Sequence, residues 1–418
     1  MSHFAAGHSR DVYPLRCDVQ HYDWGDTEFI PRMLGVDNPR HEPFAELWMG
    51  AHPDLPSSVV MQDKEIPLNA FIEQAPAAVL GPTVAETFDN RLPYLFKVLS
   101  AAAPLSIQAH PSKAQAQAGF ARENAVGVPL SAAHRNYKDD NHKPELIAAL
   151  TDFYALRGFR PLEEIAEVLR TVPEFGDFAT AFEATPASLR VLYESCMQQS
   201  QSQVDALFDP LIERLSEADR QHPFTREHPE YWLLRADRAY SREGHRDRGL
   251  FSIYFLNLVH LHPGEAMYLP AGVLHAYLEG SGMELMANSN NVLRGGLTPK
   301  HVDVAELLSN VSFEGGAPEI LRAKPLPGTC EWAFATPARE FELRRIALDA
   351  QSIYSRGATH SMEILIPVEA DEEAGVVIQS DAEALTLKKG EACMVPYGVP
   401  YRIQASEGAI LYKATVPA

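Results

Sequence analysis

The chain has 418 residues, 46% apolar and 22% charged, with 31 prolines and 25 glycines, which is longer than one ordinary core and excludes collagenous, low-complexity and largely disordered readings. No apolar run reaches the ~18–20 residues that span a bilayer, and the first residues lack the basic start and apolar stretch of a signal peptide, so a cytoplasmic protein is expected. A formal charge of −20 repels a nucleic-acid backbone and sets nucleic acid aside as a partner, but leaves an anionic small substrate open.

From residue 12 to about 150, short apolar runs are broken by Pro, Gly and Asp. Residues 93–100 and 105–110 predict strands, and Ser112 predicts the cap of a short helix after Pro111. The pattern changes near Pro161. Leu162, Ile165, Val168 and Leu169 recur at helical spacing, as do Leu189, Val191, Leu192 and Cys196, then Val204, Leu207, Leu211, Ile212 and Leu215. Residues 160–245 therefore predict an all-helical unit, with strands resuming over 249–259. Cys17, Cys196, Cys330 and Cys393 lie far apart with no Cys-x-x-Cys pair, so reduced thiols are expected rather than a disulfide framework or a thiolate zinc cage.

An internal repeat organises the rest. Residues 261–277 read LHPGEAMYLPAGVLHAY and residues 387–403 read LKKGEACMVPYGVPYRI, sharing seven of seventeen positions at an offset of 126. Each copy reads as strand, Gly-Glu turn, strand and Pro-x-Gly turn, a unit that suits a small jelly-roll or cupin barrel. The fold expected is mainly β with an α insertion: two cupin-type barrels plus an all-helical domain. Residues 12–159 with 246–325 form the first barrel, 160–245 the helical insertion and 326–418 the second barrel. His275 of the first copy corresponds to Tyr401 of the second, so a metal site that uses His275 is absent from the C-terminal barrel.

Ser106, Gln108 and His110 alternate along one predicted strand and project from one face. Inward polar side chains need partners. Pro144 biases Lys143 toward an extended conformation, so Lys143 and Glu145 share a face, an arrangement that also fits a surface ion pair. His275 follows the turn Pro270-Ala271-Gly272. Two His, a Gln and a Glu make a mixed N/O ligand set suited to zinc, with manganese or iron open. An iron-dependent cupin dioxygenase is one reading of such a set.

The chain resembles the type I mannose-6-phosphate isomerase family. The motifs are His21–Gly25 (HYDWG), Ala45–His52 (AELWMGAH), Leu95–Leu99 (LFKVL), Leu105–Pro111 (LSIQAHP), Asn136–Glu145 (NYKDDNHKPE), Ala271–Tyr277 (AGVLHAY) and Asn291–Lys300 (NVLRGGLTPK), in family order. The resemblance implies one Zn2+ on Gln108, His110, Glu145 and His275, an essential arginine at Arg294, and active-site lysines at Lys97 and Lys143. It implies interconversion of mannose 6-phosphate and fructose 6-phosphate through a cis-enediol, in a chain expected to be monomeric. Arg294 suits charge stabilisation and Lys143 proton transfer. Lys97 and Ser106 are candidates for phosphate or sugar-oxygen contacts, and Trp24, Glu46 and Tyr277 for lining the sugar pocket. The family's usual Ser-Asp-Asn-Val is Ser289-Asn290-Asn291-Val292 here, so Asn290 cannot act as an acid or base, and a non-catalytic sugar-phosphate sensor is the reading this leaves open. His260 and His262 form a His-x-His pair, but the family's equivalent positions are not ligands. His52 and His142 are expected near the site, His134 and His301 in solvent.

Overall fold

A computed structural model describes residues 11–61 and 64–418. Strands dominate, with helices concentrated between residues 162 and 240. The site-bearing sheet is built on one long strand, His275–Ala287. Its second half lies between Tyr94–Ala101 and Glu145–Ala149, and its first half pairs with Ile107–Ala109 and Phe153–Phe159. A bulge between Tyr277 and Glu279 separates the two halves. Close approach then requires a glycine: at Gly280, φ 125°, a Cβ would fall 2.5 Å from the Asp152 carbonyl oxygen. Tyr94–Ala101 and Glu145–Ala149 are buried at every position, which is why they read as mostly apolar runs rather than alternating ones.

Local signals are realised where the geometry is short-range. Ser112 caps the helix Lys113–Ala125 in a capping box with Gln115. Helices Leu162–Thr171, Pro186–Gln198 and Gln201–Gln221 bury Ile165 and Leu169, Leu189, Leu192 and Cys196, and Val204, Leu211, Ile212 and Leu215. Val191 is the exception, 67% exposed, because it falls off the face shared by Leu189, Leu192 and Cys196. The expected strand over 249–259 begins only at Leu256; Leu250–Phe255 is a fully buried helix. A run that is apolar on all sides carries no periodicity, so burial alone could not separate the two forms.

The helical segment shares a core with the site-bearing sheet. Ile107, Ala109, Leu156, Leu274 and Leu293 pack in one cluster with Leu169, Leu192, Phe208 and Trp232. Ile107 and Ala109 therefore face the helices, which turns Gln108 to the opposite side of the strand.

Residues 324–415 contribute most of a nine-stranded sheet. Tyr13–Arg16, expected with the first unit, instead pairs with Ala392–Val395 on one side and Ser58–Met61 on the other. The apolar Tyr13 and Leu15 find their burial in this sheet, so it crosses the boundary drawn from the sequence. The repeat is visible locally. Glu265 N–H donates to the His262 carbonyl at 2.9 Å and Glu391 N–H to that of Lys388 at 3.0 Å, and each Glu side chain accepts from the same partner's N–H. Gly272 and Gly398 take φ of 79° and 78° at the equivalent second turns.

Candidate active site

Three short pieces of backbone bring the expected metal residues together. Glu145 opens one strand, His275 opens another, and His110 follows Ile107–Ala109 directly. Gln108 is the cross-strand partner of both His275 and Arg294, so its side chain shares their face. The turn at Gly272 is tied to the site, its N–H donating to the His110 carbonyl at 2.9 Å. Ser106 lies just before the strand rather than within it.

Both imidazoles are oriented alike. His110 Nδ1 lies 2.8 Å from the Asn291 carbonyl oxygen and His275 Nδ1 2.9 Å from that of Val273. Donation from each Nδ1–H leaves the Nε2 lone pair facing the site. His110 Nε2 is 3.3 Å from Glu145 Oε1 and His275 Nε2 is 3.4 Å from Glu145 Oε2. His110, Glu145 and His275 are all buried, and His110 Nε2, His275 Nε2 and Glu145 Oε2 have no hydrogen-bond partner. Burial pushes His110 down to about 4, which keeps it neutral. Burial alone would raise the Glu145 carboxyl, but the Lys143 ammonium, 2.8 Å from Oε1, and the neighbouring imidazoles hold it well below the usual range. The shared face expected for Lys143 and Glu145 is thus present, as a contact in the site rather than at the surface.

Behind these groups runs a buried ion cluster. Lys97 Nζ lies 2.9 Å from Glu284 Oε2 and 3.3 Å from Glu46 Oε1. Trp48 Nε1–H donates to Glu46 at 2.7 Å and the Tyr277 hydroxyl to Glu284 at 2.9 Å. Burial disfavours the Lys97 ammonium, but the carboxylates of Glu284 and Glu46 outweigh it and raise its pKa. Lys97, Glu46 and Tyr277, expected to touch substrate, are thus satisfied by one another and by Glu284, which the sequence reading did not single out. Trp24 stacks on Tyr22 and, like Leu105, packs against the apolar cluster that holds Tyr277.

Two loops form the other wall. The Asp139 side chain accepts from Ser289 Oγ at 2.8 Å and from the Asn290 backbone N–H at 2.7 Å, and Asn291 Nδ2–H donates to the Asp139 carbonyl at 2.8 Å. Asn291 in turn supplies the carbonyl that orients His110. Asp139 and Asn291 thus position the site; both lie in quoted motifs, yet nothing in their local pattern marks the contact. Asn290 is exposed, with Nδ2 donating to Asp54 at 2.9 Å. Arg294 is half-buried, and burial pushes its pKa down. Burial and then the Arg294 charge also push Lys300 down. His52 is buried against Trp48, His142 contacts Glu340 at 2.6 Å, and His134 and His301 are exposed.

In the second copy of the repeat, Tyr401 donates its hydroxyl to Glu363 at 2.6 Å. Lys413 Nζ lies 2.5 Å from Glu331 and 3.5 Å from Glu363, all buried. An ion cluster thus occupies the place that the imidazole–carboxylate group holds in the first copy.

Residues 12–162 match the family model for the phosphomannose isomerase type I catalytic domain. The chain is 40% identical over 383 residues to the mannose-6-phosphate isomerase of Salmonella typhimurium, covering 90% of this chain and 93% of that one. It is 32% identical over 430 residues to mannose-6-phosphate isomerase 1 of Arabidopsis thaliana, covering 97% and 94%. Among solved structures, the Salmonella typhimurium enzyme bound to its substrate fructose 6-phosphate and zinc superposes with a TM-score of 0.84 at 37% identity, covering 97% of this chain and all of that one. With this identity sustained over nearly its whole length, and the same mostly-β fold, the chain belongs to the type I phosphomannose isomerase family.

Proposed function

We propose that the chain is a zinc-dependent aldose–ketose isomerase interconverting mannose 6-phosphate and fructose 6-phosphate, with Gln108, His110, Glu145 and His275 as the metal ligands. The observation that carries this is the convergence of three buried, unpartnered donor atoms, His110 Nε2, His275 Nε2 and Glu145 Oε2. Each such atom costs ~1–3 kcal/mol when left unsatisfied. One cation faced by all three removes the cost. Tetrahedral zinc with ~2.0–2.1 Å bonds sets neighbouring donors about 3.4 Å apart, and His275 Nε2 stands 3.4 Å from Glu145 Oε2. Two imidazoles, a carboxylate and a carboxamide make an oxygen- and nitrogen-rich set typical of catalytic rather than structural zinc.

Aldose–ketose isomerisation moves a proton between C1 and C2, and a cis-enediol whose oxygen carries developing negative charge lies between the two sugars. Bound zinc supplies a Lewis acid for that charge. Arg294, always protonated and in no ion pair with the described carboxylates, adds a fixed positive charge beside it. Lys143 holds a proton at Nζ next to Glu145 and is the candidate to carry it. Lys97 keeps the Glu46 and Glu284 carboxylates in place behind the ligands. Ser106 and Lys300, rather than the enclosed Lys97, are then the candidates for the phosphate.

The repeat supports two related cupin-type barrels, 12–159 with 246–325 and 326–418, with 160–245 inserted in the first and the strands Tyr13–Arg16, Ser58–Met61 and Lys64–Pro67 lent to the sheet of the second. Free cysteines suit a reducing cytoplasm, and no described helix is long and apolar enough to cross a membrane. A coupled assay tests the function. Fructose 6-phosphate should form from mannose 6-phosphate, cease after chelation and return with added zinc; undiminished turnover after complete metal removal would overturn the assignment.

Two further outcomes follow from the same reading. Tyr401→Phe should leave zinc content and kcat unchanged, because the second copy holds an ion cluster; a loss of zinc by metal analysis would contradict this. Asn290→Asp should preserve the reaction and change its rate by less than about tenfold, ~1.4 kcal/mol. The new carboxylate would sit beside Asp54 and gains no partner there. A much larger rise in kcat would mean that the family's usual aspartate does chemistry this chain has given up.

A further inference from the structure

The His-x-His pair that has no part in the site above meets a third donor. We propose that Asp152, His260 and His262 form a second, surface site for a divalent transition-metal ion such as Zn2+, Ni2+ or Co2+. His260 lies on the strand Leu256–Leu261 and His262 two residues on, past its end, so both project from one face. Leu261 pairs with Phe153 in the antiparallel neighbour, and one step further along that register Asp152 stands opposite His262. The contact follows: His260 Nε2 is 2.9 Å and His262 Nδ1 3.2 Å from the same Asp152 Oδ1. The donor atoms of all three residues lie within 4.8 Å of one another.

Two imidazoles and one carboxylate favour a borderline metal over Mg2+ or Ca2+, which take oxygen ligands. Donors around a tetrahedral ion stand about 3.4 Å apart, so the cluster needs to open by only a few tenths of an ångström. His260 is held for this role by stacking on Tyr154, with ring centroids 4.3 Å apart and planes 13° from parallel. The Asp152 and His262 side chains are 64% and 65% exposed, which leaves coordination positions to water and makes the ion exchangeable.

This site is separate from the buried one. His275 pairs with Arg157, five residues along the chain from Asp152, which at ~3.3 Å per residue places the two sites roughly 16 Å apart. Bridging residues 152 and 262 ties together adjoining strand ends, so occupancy should raise Tm.

Equilibrium dialysis of the full chain against increasing Zn2+, repeated with Ni2+, tests the proposal independently of the isomerase assignment. The wild-type protein should bind one equivalent more than the His260→Ala/His262→Ala double variant, with the two equally active at limiting zinc. His262→Ala alone, at an exposed position, should weaken that extra equivalent and abolish its Tm increment while leaving Tm in chelator unchanged. Equal metal content in wild type and double variant at every free-metal concentration overturns the proposal. So does a double variant that loses activity in step with zinc, since these residues would then serve the catalytic metal.

Discussion

Replacing His275 with alanine should strip the chain of its tightly held zinc and lower kcat by ~10³ or more. Stabilising charge at a carbonyl-derived oxygen through a Lewis acid is worth several kcal/mol, and each 1.36 kcal/mol is tenfold in rate. The substitution removes one of three converging donors at a position with no exposure to solvent, so water entering from outside cannot readily replace it. The remaining members keep their own supports: His110 its contact with Asn291, and Glu145 its ion pair with Lys143. The defect should therefore be local, with Tm compared between apo forms falling far less than activity does. Metal analysis beside the coupled assay checks this. A variant that retains one equivalent of zinc at parental affinity, and turns over at the parental rate, would remove His275 from the ligand set.

What the sequence made legible is what depends on neighbours along the chain. Two-residue alternation set Gln108 and His110 on one side, the Lys-Pro-Glu spacing paired Lys143 with Glu145, and Ser112 marked a helix start. The four proposed metal ligands needed only these short-range rules plus the motifs that contain them. Long-range partners were not legible. Lys97 reads as a lysine on a strand, free to grip an anion; that it is enclosed by Glu284, 187 residues away, and by Glu46 is decided by which strands become neighbours. The same holds for Asp139, whose role is to brace a loop 150 residues on, and for Tyr13–Arg16, whose apolar side chains are equally compatible with either sheet. Leu250–Phe255 failed for a different reason: with every side chain buried, no polar face remained to reveal the period.

Arg294→Ala should lower kcat by ~10²–10³, the usual cost of losing a preorganised charge-stabilising donor, while KM changes far less. Arg294 is half-buried on the strand next to Gln108, burial pushes its pKa down, and among the described residues no carboxylate forms an ion pair with it. Holding a desolvated cation without a counter-ion is unfavourable in the resting protein and becomes favourable only when negative charge arrives. If that charge develops as the enediol forms, the interaction strengthens between ground state and transition state and shows in kcat rather than in KM. Zinc content should stay at the parental level, because Arg294 is not a ligand. Arg294→Lys should recover part of the loss: the charge returns, but the planar fork that can donate two hydrogen bonds does not. The opposite split, KM raised with kcat untouched, would mean that Arg294 binds the phosphate uniformly through the reaction. Charge stabilisation would then fall to the metal and Lys143 alone.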